Sequence, residues 1–380
     1  MHFQIAHYEH LSAADVEQWR NLSRQHPDYD SALLTPEFSE VISQIRKDVR
    51  IVLARSGDTI VALLPVHLRP DGLARPIGAP FCDYSGPLLE KSSPVLPFEL
   101  VRQAGIAAFA SPAMPDPWDM SSPEISVTER DGLLDNHIIR SGNLDSTTLL
   151  EAQRARHPKR FKNFRRLRSQ VEREVGPLRY EWGRPRPEVL DQLLKYKQEQ
   201  YRKSGLVDLT TATEPARILN AVASSKHAFQ TSLWLGETLL SGHFGIRVGT
   251  SFHPWIAAFN PAYSQYSPGN LLLLQVLETM HEMGLETYDL ANGHDHYKKY
   301  FANGTRPAKP IFIAGTGIHA WRQAANRYVW QILGANSPAG ITARLRRRME
   351  QIAVSEFQAI PRIREFIYAV ATRSTLRRKH

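Results

Sequence analysis

The sequence predicts an α/β fold of the α+β kind, with mixed, mostly antiparallel central sheets flanked by helices. Its 380 residues and 42% hydrophobic content favour two domains and an extension over a single domain. Strand-like runs at 230–235, 238–247 and 250–259, separated by Gly-containing turns, predict an antiparallel meander. A helical period over 271–283 and a strand at 287–290 follow, so the meander leads into a strand–helix–strand unit.

The first half of the chain shows a simpler order of elements. Helices are predicted to begin after Ser12 and at Pro36, since Ser is a preferred cap and Pro a preferred first helical residue. Residues 49–55 and 59–68 predict a hairpin. The four prolines of 111–124 predict a surface loop.

Residues 154–173 predict one amphipathic helix with a strongly basic face. Its apolar stripe consists of Phe161, Phe164, Leu167 and Val171. Nine basic residues oppose only one acid, and this imbalance favours a bound anion, although a solvated charged face is the alternative. The anion could be a nucleotide-sugar diphosphate, a lipid-linked diphosphate sugar or the 3′-phosphate of CoA. The residues assigned here to substrate binding are Arg160, Arg165 and Arg166.

The junction at residues 267–270 predicts a second anion site. A Gly-containing loop leaves a strand there and opens a helix, so that free backbone N–H groups and the positive helix end face the same space. Such a junction binds phosphate readily.

A pattern of residues extends from this junction into the next strand and helix. Its members are Tyr266, Ser267, Pro268, Gly269, Leu271, Leu272, Gly284, Asp289, Gly293, Tyr297, Lys298 and Phe301. This pattern resembles that of the acyl-CoA-dependent GNAT acetyltransferases. It is similar in particular to that of the CelD-like group associated with cellulose and exopolysaccharide synthesis, and to that of the tandem-domain Fem transferases. The resemblance implies two GNAT-like domains in tandem. The two domains are an N-terminal domain at 1–145 that has lost its cofactor site and a catalytic domain at 146–325. A basic helical extension follows at 326–380.

The same resemblance implies a donor, acetyl-CoA or another acyl-CoA, and a set of site residues. The donor would be held by Trp255, Ala257, Phe259, Tyr266, Ser267, Pro268, Gly269, Asn270, Leu271 and Lys298. The catalytic residues would be Asp289, which orients or deprotonates the acceptor amine, Tyr297 as general acid, and His243 or its neighbour His253 as base. Asp83 and Tyr84 would contact the acceptor. Structural roles are the alternatives: Asp289 as a helix cap, Tyr297 in the core, and Asp83 and Tyr84 in a turn.

Composition and the N-terminal sequence predict the absence of a metal site and the cellular location. Cys82 is the only cysteine, and the spacing of His294, Asp295 and His296 fits no standard ligand set, so we expect no metal. The chain has neither a signal-like N-terminus nor an apolar run of about 18 residues, so we expect it to be cytoplasmic or peripheral at the inner face of the plasma membrane.

The charge is uneven along the chain. Residues 341–380 carry ten Arg and Lys against three Glu, whereas the rest has 37 basic and 35 acidic residues. A charge concentrated in one terminal segment argues against DNA and favours an anionic membrane surface reached through basic C-terminal helices. A solvated tail, a cover for the substrate groove and a homodimer contact are the alternatives.

The expected function is N-acylation of an amino sugar, free or linked to a nucleotide or lipid, in cell-surface polysaccharide synthesis. The sugar follows from the resemblance alone. One alternative is a Fem-like transferase that uses aminoacyl-tRNA on a peptidoglycan precursor. Another is a non-catalytic GNAT-fold scaffold of a polysaccharide synthase.

Overall fold

The computed structural model of the chain shows a mixed α/β fold built on one sheet of 14 described strands. It describes residues 1–120, 125–127, 134–142, 144–204, 210, 213–292, 297–332 and 349. The strands are β1 His2–Ala6, β2 Val49–Ser56, β3 Thr59–Leu68, β4 Leu73–Pro76, β5 Leu88–Leu89, β6 Ala108–Met114, β7 Ile125–Val127, β8 Leu134–Arg140, β9 Leu178–Gly183, β10 Ala228–Leu235, β11 Thr238–Val248, β12 Ser251–Phe259, β13 Thr287–Ala291 and β14 Gly304–Ala314. The helices are α1 Ala13–Arg24, α2 Pro36–Ile45, α3 Pro97–Gln103, α4 Ser146–Arg156, α5 Pro158–Glu174, α6 Pro187–Ser204, α7 Thr213–Ser224, α8 Pro268–Thr279, α9 Lys298–Phe301 and α10 Ile318–Ile332.

The strands pair in the order β1-β2-β3-β4-β6-β14-β8-β13-β12-β11-β10-β9, with β5 beside β3 and β7 beside β14. Only the β4–β6 and β12–β13 pairs of this described sheet are parallel. The predicted class, a mostly antiparallel mixed sheet flanked by helices, is therefore confirmed. The domain boundaries at 145 and 325 stay predictions.

Strand β14 joins the two halves of the sheet. Its residues 304–308 pair with β8, and its residues 309–314 pair with β6. At the change of partner, Pro310 lies opposite an irregular stretch of β6 that contains Pro112. Proline has no N–H to donate, so sheets accommodate it at such bulges. The predicted loop at 111–124 was therefore wrong for its first four residues, which complete β6.

One buried hydrophobic cluster contains residues of helices from both halves of the chain. Trp19 of α1 and Phe38 of α2 are buried in the same cluster as Leu193 of α6 and Ile218 of α7. The indole N–H of Trp19 donates to the carbonyl of Leu34 at 2.9 Å, which removes the cost of burying that group.

The predicted helix at 154–173 consists of two helices. α4 ends at Arg156, and α5 begins at Pro158, because a proline in a helix interior lacks the N–H and clashes with the preceding turn. The predicted apolar stripe of α5 is confirmed, since Phe161, Phe164, Leu167 and Val171 are all buried. The basic helices predicted around 344–348 and 360–370 lie outside the described residues.

Candidate active site

Strands β12 and β13 separate and leave a gap in the sheet. They pair in parallel only at Ser251 with Thr287 and at Phe252 with Tyr288. β12 then continues to Phe259 along β11 and has no further pairing with β13 among the described residues. We call this opening, bordered by residues 253–259 of β12, the strand gap.

The amide groups of Ala257 and Phe259 face the strand gap. The N–H of Asn260 bonds to the carbonyl of Leu240 in the neighbouring β11 at 2.8 Å, and alternate residues of a strand direct their amides to opposite edges. Lys197 of α6 also reaches this edge and donates to the carbonyl of Ala257 at 3.3 Å. The gap therefore presents backbone polar groups together with one half-buried amine.

A β-bulge at Trp255 starts the strand gap. The register shifts so that Phe244 pairs with Ile256 and Gly245 with Pro254, which leaves Trp255 as the extra residue. Gly245 is required here, because a Cβ on it would lie 2.0 Å from the carbonyl oxygen of His253. The Trp255 ring stacks on Phe81 at 5.3 Å, and its buried Nε1 has no hydrogen-bond partner among the described residues.

Helix α8 opens beside β12 with an uncapped first turn, residues 267–270, which we call the α8 mouth. Ser267 is in the left-handed region at φ 52°, and its side chain makes no cap hydrogen bond. A Cβ on Gly269 would meet no atom within 4 Å, so the space beside the backbone is open. The flanking side chains of Tyr266 and Leu271 are buried in one cluster and anchor the turn. Within the turn, the Ser267 N–H donates to the carbonyl of Ser264 at 3.0 Å and the Asn270 N–H donates to the carbonyl of Ser267 at 2.9 Å. Pro268 has no N–H, so Gly269 carries the remaining backbone N–H of the α8 mouth. The Tyr266 hydroxyl donates to Glu174 at 3.0 Å.

A buried ionic cluster lies on the face of β13 that is directed towards the first half of the chain. Asp289 forms an ion pair with Arg306 of β14, and accepts hydrogen bonds from the Tyr84 hydroxyl at 3.0 Å and from the Ala291 N–H at 2.7 Å. His253 bridges two carboxylates, with Nδ1 3.5 Å from Asp289 Oδ2 and Nε2 2.7 Å from Asp83 Oδ2. The members of the buried ionic cluster are Asp83, Tyr84, His253, Asp289 and Arg306.

Burial and charge determine the protonation states in this cluster. Burial alone would raise the pKa of Asp289, but Arg306 and then His253 outweigh it and hold this pKa well below its usual range. Burial alone would lower the pKa of His253, but Asp289 and Asp83 raise it to about 9. Asp289 is therefore a carboxylate and His253 an imidazolium at neutral pH. With the Asp289 side chain 1% and the Asp83 side chain 40% exposed, Asp83 is the carboxylate that a ligand can touch.

His243 lies on the other face of the sheet, with α8. Its Nδ1 is 2.7 Å from the hydroxyl of Tyr288, which also lies 3.1 Å from Thr231 Oγ1. Burial, followed by the charges of Lys197 and Lys298, lowers the pKa of His243 to about 3. A neutral imidazole with so low a pKa is a poor proton acceptor at pH 7, so this geometry favours an orienting role over the predicted role of base.

Tyr297 and Lys298 stand at the start of α9, which packs against α8. Tyr297 is half-buried, at the edge of the cluster that contains Phe301. The Lys298 amine is buried and donates to the carbonyl of Asn292 at 2.8 Å. Both residues therefore lie on the α8 side of the sheet. The preceding residues His294, Asp295 and His296, for which the sequence predicted no metal site, lie outside the described residues.

The basic helix α5 also lies on the α8 side and away from the buried ionic cluster. Arg160 stacks over the ring of Tyr300, at 4.9 Å from its centre. Arg165 is exposed, and Arg166 bonds to Asn163 and Gln170 of its own helix. Of the residues predicted to bind the substrate, the fold thus brings Asp83 and Tyr84 to Asp289 but leaves the three arginines on the other side.

Three participants were missed by sequence reasoning. Arg306 is fully buried, Lys197 reaches the strand gap, and the backbone carbonyl of Asp30 accepts a hydrogen bond from Arg306. Arg306 lies in a stretch of ordinary strand character, and its role follows only from partners distant in the chain. No local pattern could have indicated it.

A cavity of about 300 Å³ lies where β12 ends against α6. Its lining residues are Tyr196, Glu199, Gln200, Lys203, Phe259 and Pro261. Since Phe259 belongs to the strand gap as well, the cavity continues the gap towards α6.

Two further properties of the described residues bear on the class of protein. No group of three or more His, Cys, Asp and Glu side chains among them has an arrangement suited to a metal ion. None of the helices described is both long and apolar enough to cross a bilayer.

Comparison with known proteins agrees with this geometry. The profile of the Acetyltransferase (GNAT) domain matches residues 158–299, which include α5, α8 and the strand gap. A search of curated proteins found no significant match.

Among solved structures, FemX is similar with a TM-score of 0.54 at 10% identity, over 83% of this chain and 97% of that one. The C-terminal domain of a putative lysylphosphatidylglycerol synthetase from Agrobacterium fabrum has a TM-score of 0.47 at 14% identity, over 83% and 96% of the two chains. A tandem GNAT protein from the clavulanic acid pathway has a TM-score of 0.45 at 12% identity, over 82% and 97%. The strand gap, the α8 mouth and the matched profile together identify residues 158–299 as having the fold of a GNAT acetyltransferase domain.

Proposed function

We propose that the protein is an acyl-CoA-dependent N-acyltransferase whose acceptor is an amine of a sugar or sugar precursor. The observation that carries the proposal is the strand gap, which opens between β12 and β13 beside an uncapped helix. The strand gap supplies N–H groups for a thioester, and the first turn of α8 supplies a positive helix end for a diphosphate.

The donor would enter from the α8 side. Its diphosphate would lie against the α8 mouth, where Gly269 leaves room, and its pantetheine arm would run along the open edge of β12 to the amides of Ala257 and Phe259. Tyr297 starts α9 on the same side and is suited to give a proton to the departing thiolate.

The acceptor would approach from the opposite face, where the first half of the chain lies. Asp83 offers a half-exposed carboxylate to an ammonium group, and His253 fixes that carboxylate by a 2.7 Å hydrogen bond. Asp289 and Arg306 are too deeply buried to touch an acceptor. They act as positioning residues that keep His253 charged and oriented.

The chemical step needs these groups and solvent. The ammonium group of the acceptor first releases one proton to solvent. The amine nitrogen then attacks the thioester carbonyl carbon and gives a second proton to Asp83, while amides of β12 stabilise the oxyanion. The carbon–sulfur bond breaks, and the CoA thiolate takes a proton from Tyr297. Asp83 then loses its proton to solvent and Tyr297 regains one, which restores both groups.

A sugar acceptor is supported by the surroundings of Asp83 and by the resemblance to the CelD-like group. Trp255, two residues after His253 in β12, presents an aromatic ring and a buried N–H without a partner among the described residues, and both suit a hydroxylated ring. Synthesis of a cell-surface polysaccharide is the corresponding setting.

The exposed basic face of α5 supports a second candidate donor, an aminoacyl-tRNA. Lys159, Lys162, Arg165 and Arg166 are exposed on this helix, which packs against α8, and phosphate backbones bind such surfaces. In that case the α8 mouth would hold a nucleic-acid phosphate instead of a diphosphate.

Thermal unfolding with acetyl-CoA, CoA or bulk tRNA separates these proposals. Acetyl-CoA and CoA should raise the melting temperature, and tRNA should leave it unchanged. Gly269→Glu should abolish the shift, because it places a negative charge in the α8 mouth without strain.

The matched control is Ala13→Glu, which adds the same charge to the first turn of α1 and should leave the shift intact. Asp83→Asn should keep the shift and lower thiol release with an amino-sugar panel about a hundredfold. A shift with tRNA alone would replace the CoA proposal by the tRNA proposal. If none of these donors raises the melting temperature, both transferase proposals fail and a non-catalytic scaffold role is the interpretation that remains.

A further inference from the structure

Helix α10 presents its apolar side to solvent. Its five large exposed hydrophobic residues have between 51 and 78% of their surface accessible. They are Ile318, Trp321, Tyr328, Val329 and Ile332. Exposed side chains of this size are ordinary when scattered, but here they occupy a single helix.

The five residues form one continuous face. At 100° per residue they fall, together with Ala325, within an arc of about 100°, which is the width of the face that usually packs on a core. We call these six residues the α10 apolar face. No described element of the chain covers it.

The opposite side of α10 holds the helix on the protein. Ala320 is buried, Gln323 donates to Asp71 Oδ2 at 3.1 Å, and Arg327 stacks over the ring of Phe312 in β14, at 4.6 Å from its centre. At the border of the apolar face, Arg322 pairs with Asp71 at 3.2 Å. The helix is therefore anchored through its small and polar residues, the reverse of an ordinary surface helix.

The charge of the chain that follows α10 indicates what covers the apolar face. Residues 333–380 contain ten Arg and Lys against three Glu. A second copy of the chain would offer apolar area but would bring the same positive charge. An anionic membrane surface offers both an apolar layer and negative charge, and each basic residue near such a surface adds attraction.

We propose that the protein docks on anionic membranes through the α10 apolar face, assisted by the basic segment 333–380. Trp321 and Tyr328 are the side-chain types that favour the boundary between lipid headgroups and acyl chains. The helix would lie in the plane of the interface, with its anchored side still on β14. Because the buried ionic cluster is not involved, this proposal is independent of the proposed chemistry.

Flotation of the full-length protein with vesicles tests the proposal. We expect binding to vesicles of phosphatidylglycerol and phosphatidylcholine in equal amounts, weak binding to phosphatidylcholine alone, and release by high salt. The double variant Trp321→Glu, Ile332→Glu should bind the anionic vesicles at least about tenfold less, because two inserted side chains are lost. Both positions are more than 65% exposed, so the fold should be unaffected.

Leu144→Glu is the matched control, because Leu144 is 41% exposed but lies outside α10. It should bind like the natural sequence. A further variant tests the basic segment by combining Arg346→Gln, Arg347→Gln and Arg348→Gln. It should bind anionic vesicles more weakly than the natural sequence, and its weak binding to phosphatidylcholine vesicles should be unchanged. Equal binding of the double variant and the natural sequence would overturn the proposal. So would a dimer in solution that the double variant converts to a monomer, since the apolar face would then belong to a second copy.

Discussion

Replacing Arg306 by methionine tests the energetics of the buried ionic cluster. Arg306 and Asp289 are 0% and 1% exposed, so Arg306→Met leaves a carboxylate in the interior without its cation. Breaking a buried pair in this way costs about 3–5 kcal/mol. His253, 3.5 Å from Asp289, remains to offset part of the charge, so we expect the lower end, about 3 kcal/mol, as a loss in the free energy of unfolding by urea.

Arg322→Met is the control for this prediction. Arg322 also pairs with an aspartate, Asp71 at 3.2 Å, but its side chain is 62% exposed, so we expect a loss of less than about 1 kcal/mol. Adding Asp289→Asn to Arg306→Met should recover part of the loss, because the unpaired charge is removed. If Arg306→Met costs no more than Arg322→Met, the reasoning that Asp289 is destabilising once it is buried without its cation is refuted.

Two further predictions concern the titration of the cluster and the transfer step. The folded pKa of His253 is about 9 and the unfolded value about 6.5, so its contribution to stability is complete below pH 6.5 and is lost as the pH rises through 9. The melting temperature should therefore fall more between pH 7 and pH 10 in the natural sequence than in His253→Gln, and parallel curves would contradict the assignment. Tyr297→Phe should lower kcat for thiol release about ten- to a hundredfold while the Kd of acetyl-CoA, from calorimetry, stays the same. A raised Kd with normal kcat would place Tyr297 in donor binding instead.

Local patterns were sufficient for the elements around the strand gap. The run from Leu271 and the short strand at Asp289 have helical and strand periods of their own, and the structure has α8 and β13 there. Two predictions from local patterns were wrong, and in both cases a proline explains the difference. The helix predicted across Pro158 divides at that residue, and the loop predicted at Pro112 is a strand whose bulge accommodates the proline.

The candidate site could be predicted only in part because its contacts join distant residues. Gly269 and its neighbours form the α8 mouth from consecutive residues, so their sequence contains the necessary signal. The hydrogen bond from Tyr84 to Asp289, in contrast, connects positions 205 apart. The roles of Asp289 and His243 depend on burial and on partners that no pattern reveals.

Residue order and composition were enough to predict the fold class, most of the helices and strands, the glycine-containing helix start and the concentration of positive charge after α10. These features follow from backbone propensity, side-chain period and composition, which act over a few residues. Only the folded chain shows that Asp289 is buried in an ion pair with Arg306, that Asp83 is the accessible carboxylate and that α10 turns its apolar side outward. Solvation and pairing of a charge depend on every group within a few ångströms, and folding brings those groups together from remote parts of the chain.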